Sequence, residues 1–189
     1  MNTIKVWDPF VRIGHWLLVG GFLVAYLSGD EWMDIHVWAG YLVFGVVVFR
    51  IMWGAIGPRP AQFRSFVQPF SAVKRHMSDL LRLRPRAYAG HNPAGGWMVV
   101  ALLATLLLVA LSGIATLGTE GEGPLAGTAI AAFLGEEGWE EVHEILTNLA
   151  LVLVAVHIGG VVMESIFTHE NLPKSMVTGI KHIHTEEKS

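Results

Sequence analysis

Apolar residues in this chain gather in four long runs separated by polar stretches. Each run is close to the length a bilayer crossing needs, about 20 mostly apolar residues. The runs cover about residues 11–27 (VRIGHWLLVGGFLVAYL), 35–53 (IHVWAGYLVFGVVVFRIMW), 97–117 (WMVVALLATLLLVALSGIATL) and 139–167. A polar stretch rich in Pro and Arg, residues 54–96, separates the second from the third, and a tail of residues 168–189 follows the fourth. Inside that stretch, PFSAVKRHMSDLLRL (residues 69–83) is amphipathic and basic, the pattern of a short helix lying on a membrane surface. The pattern predicts an all-α integral membrane four-helix bundle built as a single domain over 1–189.

Composition agrees and charge adds an orientation. Hydrophobic residues make up 52% of the chain and charged residues 15%, below the roughly 25% usual in soluble domains; the mean hydropathy is +0.48. The first short loop carries Asp30, Glu31 and Asp34 without a Lys or Arg. The third loop and its flank carry Glu120, Glu122, Glu136, Glu137, Glu140 and Glu141, again without a base. All 13 Lys and Arg lie elsewhere, at the N-terminus, from Arg50 through the long polar stretch (Arg84 and Arg86 among them), and in the tail to Lys188. By the positive-inside rule both termini and the long stretch are expected to be cytoplasmic, with the acidic loops outside. Met1 to Phe10 is polar and no small-residue cleavage site follows, so the first run is expected to be a retained helix. The chain has no cysteine. Disulfides, cysteine-ligated zinc, iron–sulfur clusters and covalently attached haem are therefore excluded.

Histidines are the abundant soft ligands that remain. Of nine, four fall in the spans: His15, His36, His143 and His157. On the predicted topology His15 lies a turn from the inner surface, and His36 and His143 near the outer one. His157 follows His143 by 14 residues, about 21 Å along a helix and only about 40° around it. Depth thus pairs His15 with His157 inside and His36 with His143 outside. Two imidazoles facing each other across a bundle are the usual axial ligands of a b-type haem. Gly14, Gly20, Gly21, Gly40, Gly45, Gly159 and Gly160 leave room for a macrocycle nearby. Other readings stand beside this one: interhelical hydrogen bonding, a proton relay, or an outer zinc site completed by Asp34 and Glu144. The third run, without a histidine, is expected to close the bundle.

At these residues the chain resembles a bacterial cytochrome b family that includes the b-type subunits of nickel–iron hydrogenases and the cytochromes b-561. VWDPFVRIGHW, RIMWG, GHNPAGGWM, HEILTNLALVLVAVHIGGVV and the tail SIFTHENLPKSMVTGIK carry the likeness. The resemblance implies a multi-pass protein of the bacterial inner membrane that holds two b haems and exchanges electrons with quinone. Its axial histidines on the first, second and fourth helices map onto His15, His36, His143 and His157. The expected function is electron transfer between a quinone or quinol pool and a periplasmic redox protein, a c-type cytochrome or a hydrogenase. Superoxide oxidation with quinone as acceptor is an alternative that the acidic outer loops oppose, since they repel an anion. A histidine-lined metal or proton transporter is the non-redox alternative. No nucleic-acid partner is expected, and no residue pattern marks a quinone site.

The remaining polar residues have plainer readings. Arg12, a turn from His15, is the better candidate to pair with propionates of the inner haem; Arg50 reads first as a snorkelling cation. His91 in the GHNP turn is expected to cap or to sit at the interface, with propionate contact as a further reading. His76, His169, His182 and His184 lie in the amphipathic helix and the tail, with metal binding the lesser reading for the tail. Trp7, Trp16, Trp32, Trp53, Trp97 and Trp139 mark span ends as an aromatic belt does.

Overall fold

Polar caps set where the helices begin. In the computed structural model, which describes residues 2–29, 31–82, 88 and 90–183, α1 covers Pro9–Ser28 and α2 covers Met33–Ile56. Short helices α3 (Phe63–Phe66) and α4 (Phe70–Leu81) follow a 3-10 turn at Arg59–Ala61. Then come α5 (Pro93–Thr119), α6 (Ala129–Thr168) and α7 (Leu172–Thr178). A two-stranded ribbon, β1 (Asn2–Lys5) with β2 (Ile180–Ile183), completes the described residues. Asp30, Arg84, Arg86, His184 and Lys188, used in the sequence reading, lie outside the described residues. The architecture is all-α, with four helices, α1, α2, α5 and α6, long and apolar enough to cross a membrane.

These helices outrun the apolar runs because the runs mark hydrocarbon while the helices continue to their caps. The Asp8 carboxylate accepts from the N–H groups of Phe10 (2.9 Å) and Val11 (3.1 Å), with Pro9 as the first helical residue of α1. Asn92 does the same for α5, accepting from Gly95 N–H at 2.6 Å ahead of Pro93. Asn92, not His91, is therefore the cap of the GHNP turn. In α6, Gly135 has φ 71° and ψ −179° and breaks the helix, leaving a short opening segment before the spanning part. The fourth apolar run begins after this break.

The chain divides into two compact units that cut across the long helices. The unit made of Trp16–Phe49 and Ala101–Val154 has a narrow interior. Ala39, Val43 and Val47 are buried at four-residue spacing on α2, and Leu103, Leu106 and Ala110 on α5. Gly21 lets α1 approach α2, since a Cβ there would meet Val43 Cγ2 at 3.0 Å. The outward faces are as apolar as the interior: Leu27 and Trp38 are each 75% exposed. Helices that satisfy their own backbone and present apolar side chains outward are built for lipid.

The other unit, Met1–His15, Arg50–Val100 and Ala155–Ser189, gathers the polar ends. Antiparallel pairing from Asn2↔Ile183 to Lys5↔Ile180 brings the two ends of the chain together. Asn171 caps α7, accepting from Lys174 N–H at 2.8 Å, and Gly179 (φ 80°) ends it. The Gly179 carbonyl then accepts from Val6 N–H at 2.9 Å. Helix α4 forms where the amphipathic pattern predicts it, with Lys74 and Arg75 exposed. Its other face packs on the protein: His76 is buried 3.8 Å from Glu164 and edge-on to Tyr88.

Replacing Gly135 by Ala forces a side chain into a backbone region that essentially only glycine occupies. The expected cost is about 1–3 kcal/mol, read as a lower thermal unfolding midpoint in detergent.

Candidate functional site

Histidines meet in pairs within each unit. In the first, His36 in the opening turn of α2 and His143 on α6 have ring centroids 6.0 Å apart, with planes at 78°. His36 Nδ1 lies 2.8 Å from the Ala25 carbonyl of α1. His143 Nδ1 lies 3.0 Å from the Val109 carbonyl of α5 and 3.1 Å from Ser112 Oγ, which donates to Val109 as well. A carbonyl only accepts, so both imidazoles carry their proton on Nδ1. That leaves the Nε2 lone pair free in principle to bind a metal, with ring orientation fixed by the carbonyl. Gly113 makes room for the His143 ring, because a Cβ there would stand 3.0 Å from its Cε1.

In the second unit His15 on α1 and His157 on α6 have centroids 6.4 Å apart and planes at 56°. Beside them His91 is enclosed by Trp7 (centroids 4.6 Å, edge-on) and Phe66 (4.5 Å). Burial pushes its pKa down to about 3, helped by the nearby charges of Arg50 and His157. His91 is neutral at physiological pH.

The two arginines have different surroundings. Arg12 donates to the Val177 carbonyl in the last turn of α7 and lies against Gly179, although its Nε is buried without a hydrogen bond among the described residues. Arg50 is only 8% exposed, with its guanidinium 5.0 Å from the centre of the Phe63 ring. Its Nη1 has no hydrogen-bond partner among the described residues, and Asp8 acts on it electrostatically. Asp34 and Glu144 are exposed. Among the described residues no group of three or more His, Asp or Glu comes together to hold a metal ion, so the zinc arrangement at His36 and His143 is not assembled.

The sequence reading did not reach the groups that orient His36 and His143. Their signal is faint, a Ser112–Gly113 pair in the otherwise apolar run VALSGIATL; the carbonyls of Ala25 and Val109 carry no sequence signal at all.

Four membrane-length helices and a donor set consisting of imidazoles alone mark a class, the membrane b-type cytochromes of electron transfer. The chain belongs to the prokaryotic cytochrome b561 family, whose model matches residues 6–179. It is 27% identical to a probable Ni/Fe-hydrogenase B-type cytochrome subunit of Rhizobium leguminosarum bv. viciae, over 94% of this chain and 88% of that protein. It is 26% identical to a similarly described protein of Bradyrhizobium diazoefficiens, over 94% and 85%. No solved structure matches the chain significantly. The donors fit the b-type haem the family implies. Two imidazoles bound to opposite sides of one metal, at about 2 Å per bond, have centroids roughly 6 Å apart.

Because His91 has a depressed pKa when folded, the unfolded chain binds the extra proton first as pH falls below 6.5. Stability is therefore unaffected by this group above about pH 6.5 and lost progressively between there and about pH 3. At pH 5 the loss is about 2 kcal/mol. His91→Gln is expected to flatten the fall in unfolding midpoint between pH 7 and pH 5.

Proposed function

We propose that the chain carries electrons between a quinone pool and a redox protein at the outer membrane face through two b haems. His15 and His157 would hold the inner haem, and His36 and His143 the outer one. The observation that carries this reading is the pair spacing, 6.4 Å and 6.0 Å between ring centroids, which is that of two imidazoles sharing one iron. A haem bound at each pair supplies reversible one-electron exchange. His143 and His157 both lie on α6, 14 residues apart in sequence.

The remaining residues tune and orient. Nδ1–H donation from His36 and His143 to carbonyls makes these ligands more basic and favours the oxidised iron. Acidic residues of the outer loops, Glu136, Glu137, Glu140 and Glu141 among them, act in the same direction. The outer site therefore has the lower potential. The bacterial inner membrane is the setting, with both termini cytoplasmic, a reading that the distribution of Lys and Arg supports. The outer acidic loops steer a basic partner. The relatives' description favours a hydrogenase as that partner over a c-type cytochrome.

Detergent-purified protein is expected to show b-type bands with two haems per chain and two redox components. His36→Ala or His143→Ala removes the lower-potential component, and His15→Ala or His157→Ala the higher. One haem or none refutes the paired-ligand reading. Two haems with the opposite order of potentials refute the electrostatic argument alone.

A further inference from the structure

We infer that Arg50 is the cationic anchor for a carboxylate of the haem held between His15 and His157; this rests on the two-haem reading above. A buried guanidinium is costly unless its charge and its N–H donors are met. Arg50 is buried, yet the face of Phe63 meets only part of its charge and Nη1 has no hydrogen-bond acceptor among the described residues. Asp8 is the nearby anion. However, its Oδ1 accepts from the first N–H groups of α1, and its buried Oδ2 has no hydrogen bond among the described residues. The two charges attract without joining, and the open donor on Arg50 calls for a further acceptor.

The same unit shows where that acceptor comes from. Arg50, His15 and His157 belong to this one compact unit, and His91, held between Trp7 and Phe66, lies in it too. His91 is neutral and adds no second cation there. A haem brings two carboxylates, and a guanidinium fork matches a carboxylate in shape and charge. Arg12, the sequence-level candidate, already closes the last turn of α7 through the Val177 carbonyl.

The test is a redox titration of the purified full-length cytochrome carrying Arg50→Gln, Arg50→Lys or Arg12→Gln. Haem content is counted in each, and the inner component is assigned by its loss in His15→Ala. Removing a cation beside the inner haem favours its oxidised form. Arg50→Gln is expected to raise the oxidised-to-reduced ratio of that component about tenfold at a fixed ambient potential, the size of one charge-assisted contact, and to leave the other component in place. Arg50→Lys retains most of the wild-type midpoint, and Arg12→Gln leaves both components unmoved. If Arg50→Gln sheds the inner haem while Arg50→Lys keeps it near its wild-type midpoint, the inference also stands. Unchanged midpoints in Arg50→Gln with both haems present overturn it. So does a shift confined to the outer component, a shift in Arg12→Gln alone, or loss of the inner haem from both Arg50 variants. A wild-type protein with fewer than two haems instead removes the two-haem reading on which the inference rests.

Discussion

An imidazole inside a membrane has two nitrogens, and hydrocarbon satisfies neither. One must give its proton to an acceptor and the other must find a donor or a metal, or the helix that carries them is penalised for every unmet group. Here α1 and α5 lend backbone carbonyls, of Ala25 and Val109, to the Nδ1 atoms of His36 and His143. A helical carbonyl has a second lone pair, so it can accept from a neighbouring helix without giving up its own ladder. Ser112 strengthens the same corner by bonding both Val109 and His143. Once each proton is placed, the Nε2 atoms are the remaining ligating groups. Much of the bundle follows from this: close approach of α1 and α2 at Gly21, and of α5 and α6 at Gly113, brings the carbonyls within reach.

The polar ends obey a different economy. Caps and turns satisfy their backbone groups, at Asp8–Pro9, Asn92–Pro93 and Asn171 through Gly179. The N-terminal and C-terminal segments then hold each other. Trp7 Nε1–H donates to Ser175 at 3.4 Å, Val6 to Gly179, and Arg12 to Val177, while Lys181 ion-pairs with Glu170. With the chain ends joined, Trp7 becomes a wall for His91, and Asp8 becomes a neighbour of Arg50. The segment that reads in sequence only as a tail thus holds in place the N-terminal residues that wall His91.

Sequence by itself determined the four membrane helices, because hydropathy and length are properties of consecutive residues. It also singled out the four membrane histidines, because imidazoles are conspicuous among Leu, Val and Gly. Tertiary structure decided what consecutive residues cannot encode. It buried Arg50 against the ring of Phe63 and turned Arg12 to the Val177 carbonyl, because burial depends on which elements cover the end of each helix. It turned His76 inward towards Glu164, and it gave the cap of α5 to Asn92 and an aromatic enclosure to His91. It alone chose Ala25 and Val109 as the acceptors for His36 and His143. Every residue has a carbonyl, so which carbonyl an imidazole meets is written only in the packing of the helices.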